Sequence, residues 1–171
     1  MQAKEELKFI LTNIKDSLKF HETKHGALVA LNAGLVYASV SSYIKIEEYV
    51  VKPAILISVF CFGISLFFSF IANFLSTHNI FYKRKKRIKD PNLYYFGHLS
   101  CLNRNSFNDE LQKIDEGYIP TKLDNDLIDQ IIFNSKIAHI KFGFYRFASY
   151  LTAFGSALIG GSSLIKIFLY S

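Results

Sequence analysis

The sequence predicts a mainly α-helical membrane protein with three transmembrane helices, two of them extended into a cytoplasmic helical bundle. Three observations lead there. Residues 53–82 carry no formal charge over 30 positions. A hydrocarbon core of about 30 Å takes about 20 apolar residues in helix, and Ala54–Leu75 supplies that length. Two further charge-free stretches, Gly26–Ile44 and Phe147–Ile165, hold 19 residues each, near the minimum for a span. The third observation is the placement of the basic residues. Of 20 lysines and arginines, five lie in residues 1–25 and twelve in residues 78–146. Such residues stay on the cytoplasmic side of a span. The N-terminus is therefore expected inside and the C-terminus outside, with Lys166 reaching the outer interface through its four-carbon stem.

Composition sets the outer limits. Half of the chain is apolar and its mean hydropathy is +0.19, too high for an ordinary soluble domain. At 20% charged residues it is too polar to lie wholly in lipid. Three spans and two cytoplasmic segments use up 171 residues, so no second large domain is expected. The net charge of +6 reads mostly as an insertion signal rather than as a nucleic-acid surface. Charged residues from Lys4 to Lys24 break up any apolar core of a signal peptide, so the first span is expected to be an uncleaved anchor. Cys61 lies in a span and Cys101 in a cytoplasmic segment, which argues against a disulfide between them.

Residues 1–25 should form an amphipathic cytoplasmic helix, since Leu7, Ile10, Leu11, Ile14 and Leu18 fall at helical spacing. With only Gly26 as a mild breaker, one helix is expected from Glu5 through the first span (26–44) to Ile44, about 60 Å long. A short outer turn follows at Glu47, Glu48 and Tyr49. Pro53 suits the first turn of the second span (54–77). That span is rich in phenylalanine, and Phe60, Phe62, Phe67, Phe68, Phe70 and Phe74 are expected to face lipid over much of its surface.

The cytoplasmic region, 78–146, opens with the run Lys83-Arg84-Lys85-Lys86-Arg87, followed by a turn at Asp90-Pro91-Asn92. Leu93–Leu102 fits either a short strand or a helical turn. A short helix is expected to begin near Ser106, with Phe107, Leu111 and Ile114 as its apolar face. Gly117 to Thr121, with Pro120, ends it. From Leu123 the residues Leu127, Ile131, Asn134, Ala138, Phe142 and Tyr145 step by three or four. This helix should run into the third span (147–168) over about 60 Å. The cytoplasmic stripes of the two long helices are expected to pack on each other and on a neighbouring subunit.

Three segments carry a resemblance. They are Phe20-His21-Glu22-Thr23-Lys24-His25-Gly26-Ala27-Leu28, Asn92-Leu93-Tyr94-Tyr95-Phe96-Gly97, and Asp126-Leu127 with Asn134-Ser135-Lys136-Ile137-Ala138 leading into Lys141-Phe142. In this order they resemble the transmembrane effector domain of Pycsar-type antiphage systems, over about residues 15 to 165. The resemblance implies an effector in the bacterial inner membrane that stays quiet until a cyclic nucleotide, made by a partner cyclase during phage infection, is sensed. The effector then breaches the membrane, and growth arrest or cell death follows. A cyclic pyrimidine monophosphate is the messenger this implies. Some members carry a fused hydrolase domain, for which these residues show no counterpart, nor is a separate cyclic-nucleotide-binding domain recognisable.

The candidate ligand-binding residues are Lys83, Arg84, Lys85, Lys86, Arg87, Tyr94 and Arg104. The basic run has two readings: a phosphate-binding surface, or a signal that holds the loop in the cytoplasm. Tyr94, with Tyr95 and Phe96, has a base-stacking reading beside that of an aromatic in the membrane interface or the core. Ala30, Gly34 and Ala38 repeat every four residues in the first span, as do Ala153, Ala157 and Gly161 in the third. Such rows let helix backbones approach, within a chain or between copies, so a homo-oligomer is expected. Asn134 is a candidate for fixing helix register. Asn32 and Asn73 need partners across a helix interface.

Catalysis is not expected, because there is no Gly-rich phosphate loop, no nucleophile elbow and no paired carboxylates. His21 and His25 stand four apart with nothing to complete a metal site, so neither metal nor cofactor is expected. A transporter would need an acid or base near midplane. Two functions remain: an effector that disrupts the membrane, and a membrane-anchored adaptor that recruits a cytoplasmic partner without permeabilising it.

Overall fold

The computed structural model describes residues 2–46, 51–74 and 92–170. Five helices follow in order: α1 (Gln2–Lys45), α2 (Val51–Phe74), α3 (Phe96–Leu99), α4 (Arg104–Ile114) and α5 (Lys122–Tyr170). No strand occurs among the described residues. α1 and α5 are the two long helices the periodicity predicts, at 44 and 49 residues. The described residues form two compact units. The first lies within Met1–His21 and Ser76–Phe142, the second within Glu22–Leu75 and Gly143–Ser171. The expected outer turn at Glu47–Tyr49 and the start of the Asp90-Pro91-Asn92 turn lie outside the described residues.

The first unit is built as a water-soluble domain is, with apolar side chains inward. Leu7, Ile10, Leu11 and Ile14 of α1 meet Phe107 and Leu111 of α4 and Ile128, Ile131 and Ile132 of α5. Leu93, Leu99 and Leu102 close this core. The stripe on α1 is thus covered within the chain itself. Leu93–Leu102 resolves as helical turns rather than a strand. Asn92 accepts the Tyr94 amide on its side-chain oxygen at 2.8 Å, and α3 follows at once. The amides of Cys101 and Leu102 then close on His98 and Leu99 carbonyls at 2.9 and 3.1 Å.

α4 begins two residues earlier than the Ser106 start predicts. Asn103 is the cap, its side-chain oxygen accepting the Ser106 amide at 2.8 Å, which satisfies one of the orphan donors of the first turn. Ile114, expected on the apolar face, is 55% exposed because the helix ends there. Glu110 is buried instead, with Lys113 Nζ at 3.1 Å. Gly117, at φ +97°, supplies the left-handed turn after α4. A capping box opens α5: Thr121 donates its amide and hydroxyl to Asp124 at 3.0 and 2.8 Å, and the Asp124 amide returns to the Thr121 hydroxyl at 3.3 Å.

The second unit has the opposite polarity. Its exposed side chains include Leu31, Tyr37, Ile44, Leu56, Phe60, Phe67, Phe70, Phe74, Tyr150 and Phe154, whereas Asn32, Ser39, Ser58, Ser65, Ser69, Thr152 and Ser162 are buried. In water this inversion forfeits the dominant driving force of folding. In lipid it is the stable arrangement, since an apolar surface meets acyl chains and polar groups must find partners inside. α1, α2 and α5 each contain a stretch long and apolar enough to cross a bilayer. The chain is a three-helix membrane protein. One phenylalanine departs from expectation. Phe62 is fully buried rather than facing lipid, because its ring lies against Gly155, where a Cβ would stand 2.7 Å from Phe62 Cε1.

Candidate functional site

Two places gather polar side chains where packing alone would not put them. In the second unit a polar seam runs between the apolar helices. Asn32 Nδ2 donates to the Leu28 carbonyl at 2.8 Å and to Ser65 Oγ at 3.0 Å. Thr152 Oγ1 donates to Asn32 Oδ1 at 2.9 Å, and Ser65 Oγ donates to the Ala148 carbonyl at 2.8 Å. α1, α2 and α5 thereby share one hydrogen-bonded node. One side further along α2, Ser58 Oγ lies 2.8 Å from both the Ala54 and Gly155 carbonyls. On the other side, Ser69 is fully buried and its hydroxyl meets no partner among the described residues. A cleft of about 230 Å³ lies in the same unit, lined by Ser39, Ser42 and Ser163 together with Leu35, Val51 and Ile55.

The second place is in the first unit. Phe96 meets the ring of His21 at 5.6 Å, Phe142 at 5.9 Å and His139 at 6.4 Å. His21 also meets Phe142 at 5.6 Å. His98 is fully buried and Lys141 is 3% exposed. Basic side chains from α1, α3 and α5 are thus withdrawn from solvent in one small unit. Lysine is almost never buried to this extent without partners.

Lys83, Arg84, Lys85, Lys86 and Arg87 lie outside the described residues. Tyr94 is half-exposed; its hydroxyl donates to the Glu6 carboxylate and its ring stands edge-on to Phe9 at 5.9 Å. The hydrogen bond to the Glu6 carboxylate pushes the phenol pKa up. Tyr94 thus ties the segment before α3 to α1. Arg104 is committed to Asp129, with Nε donating to Oδ1 at 3.0 Å and a terminal nitrogen to Oδ2. Tyr94 and Arg104 are therefore held by different partners. Ala30, Gly34, Ala38, Ala153, Ala157 and Gly161 are all exposed within the chain. Close approach inside the bundle occurs instead at Gly155. Asn134 is half-buried beside the fully buried Ser135, and Asn73 is exposed near the end of α2.

The Arg104 pairing holds the Asp129 carboxyl below its usual range. A carboxylate whose pKa falls on folding contributes stability above its unfolded value, about 3.9, and loses it as pH falls through the folded value. Wild type should therefore melt slightly above Arg104→Gln at pH 7 in low salt, and the difference should shrink at pH 3, below the unfolded carboxylate value of about 3.9. Thermal melting of both chains at the two pH values measures this.

The seam was legible in part. Asn32 stands out as an amide in a span. Ser58, Ser65 and Ser69 share one α2 face with Ile55, Phe62 and Ala72, a serine row at helical spacing in an otherwise apolar segment. Burial of His98 and Lys141 left no such signal.

A small bundle of membrane-crossing helices with a polar interior, joined in one chain to a helical unit of soluble type, defines an integral membrane protein with a folded extramembrane unit. The family model of the Pycsar effector protein domain matches residues 6–166, nearly the whole chain, and the protein belongs to that family. Membership makes it an antiphage effector linked to a cyclic-nucleotide signal. Neither the curated proteins nor the solved structures contain a match to it.

Proposed function

We propose that the protein permeabilises the bacterial inner membrane, without enzymatic chemistry, when a cyclic nucleotide is sensed. The observation that carries this is the polar interior of the membrane bundle. An adaptor's anchor needs only apolar helices, and a leucine-packed interior would serve it without burying Asn32, Ser58, Ser65, Ser69 and Thr152. The signal acts on the first unit, where His21, His98 and Lys141 suit an anionic ligand and Phe96 and Phe142 suit a base. The basic run Lys83–Arg87 guides that ligand inward. A ligand that binds one packing of the helices more tightly shifts the population toward it. The N-terminus is cytoplasmic and the C-terminus outside, by the distribution of basic residues. The protein acts as a homo-oligomer, with the exposed rows Ala30–Gly34–Ala38 and Ala153–Ala157–Gly161 as contact surfaces.

The adaptor reading draws on a different observation, the exposed Ile114, Ile119 and Leu123 of the first unit. Dye entry separates the two. Cells making the chain together with its cyclase should take up a membrane-impermeant dye, and cells making the chain alone should exclude it. Equal exclusion in both, with the protein shown to be in the membrane, favours the adaptor. Replacing Lys83–Arg87 by glutamines should weaken nucleotide binding; unchanged binding would make the run a topology signal alone.

A further inference from the structure

The seam supports a more specific assignment, one that rests on the permeabilising reading above. Its members share two properties. They are buried, with Asn32, Ser58, Ser65 and Ser69 fully so and Thr152 at 7% exposure. They are also uncharged. Four of the five satisfy one another or nearby carbonyls across helix boundaries. Ser69 does not, and its hydroxyl is buried with no partner among the described residues. A buried hydroxyl in that condition calls for an explanation, and a second arrangement in which water reaches it supplies one. The cleft bordered by Ser39, Ser42 and Ser163 brings three more hydroxyl-bearing residues to the same bundle.

We infer that this seam is the folded-away wall of a water-filled path for small inorganic ions, held shut by the node of Asn32, Ser65 and Thr152. With the helices packed, the hydroxyls and the amide bond to each other. With the helices parted, the same groups bond to water at little loss, because each exchange replaces one hydrogen bond by another. Phe62 lies on the same α2 face between Ser58 and Ser65 and is fully buried, so it forms the apolar constriction that keeps the packed state dry. A neutral wall of hydroxyls and one amide solvates either sign of charge. The path therefore discriminates weakly between potassium and chloride, unlike one ringed by carboxylates or guanidinium groups.

The test uses the full chain in phosphatidylethanolamine–phosphatidylglycerol vesicles loaded with potassium chloride at pH 8, with no nucleotide present. Asn32→Asp removes the amide donations to the Leu28 carbonyl and Ser65 Oγ and leaves a buried charge that two hydroxyls solvate poorly and water solvates well. It should raise efflux by about tenfold or more over wild type, with potassium favoured over chloride because the variant adds a carboxylate to the wall. Thr152→Val, which removes one donor, keeps the shape and leaves the wall neutral, should raise potassium and chloride efflux together, though by less. It carries the test if Asn32→Asp does not insert. Adding Ser58→Ala and Ser69→Ala should cut either leak by about threefold or more, because alanine packs but does not solvate ions. No rise in efflux from an inserted node variant overturns the inference. So does a rise that the alanines leave unchanged, or one that in the neutral Thr152→Val chain is confined to a single ion. Because no arm uses a nucleotide, a wild type deaf to nucleotide contradicts the signalling reading while leaving the seam result standing. Nucleotide-triggered leakage that none of these substitutions alters does the reverse.

Discussion

Gly155→Leu is expected to disrupt the membrane bundle, and Phe62→Leu in the same chain to restore part of it. A Cβ at position 155 would stand 2.7 Å from Phe62 Cε1 and 3.1 Å from Cζ. Phe62 is fully buried and cannot swing away into lipid. The Gly155 carbonyl also accepts Ser58 Oγ at 2.8 Å, so displacing α5 breaks a buried hydrogen bond as well. Overpacking a tight site costs about 1–3 kcal/mol, and leucine adds more atoms than the site can move aside. At about 2–4 °C per kcal/mol for a chain of this size, melting in detergent should fall by several degrees at least. Gly34→Leu is the control. Its Cβ direction is open, so the monomer should melt near the wild-type temperature. A Gly155→Leu chain as stable as wild type would mean that α2 and α5 are packed differently.

Phe107→Ala should do comparable harm to the first unit and leave the second intact. Phe107 is fully buried among Leu7, Ile10, Leu111 and Ile128. Truncating such a ring costs about 3–5 kcal/mol, a large share of the roughly 5–15 kcal/mol that holds a domain together. Limited proteolysis of vesicle-borne protein should then cut within residues 92–142 while fragments containing α2 stay protected. The response to nucleotide should vanish with the first unit. Retained protection of 92–142 would contradict the core described above.

Long elements were legible in the sequence for a plain reason. The absence of breakers between Gln2 and His25, and again from Leu123 to Phe142, left the helices nowhere to stop before the charge-free stretches. The details that failed are those decided by a neighbour rather than by the local pattern. A span that is apolar all round gives no sign of which phenylalanine turns inward. Phe62 does so because Gly155 lies opposite. The start of α4 depended on Asn103 reaching the Ser106 amide, and Leu93–Leu102 on Asn92 capping a helical turn. Small residues in the spans were readable as close-approach rows, but hydrogen bonding decides which face turns inward within this chain. Asn32, Ser65 and Thr152 satisfy one another there, and Ala30, Gly34 and Ala38 are left on the outside. Arg104 reads as a ligand-binding candidate in the sequence because Asp129, its partner, is 25 residues away.

The central claim is that a cyclic nucleotide opens the membrane through this chain, and the membrane potential of reconstituted vesicles tests it most directly. Purified protein in vesicles holding a potassium gradient, followed with a potential-sensitive dye, should hold the potential until cyclic UMP or cyclic CMP is added and then lose it. A potential that both nucleotides leave unchanged, in vesicles where the protein is inserted and folded, would contradict the account.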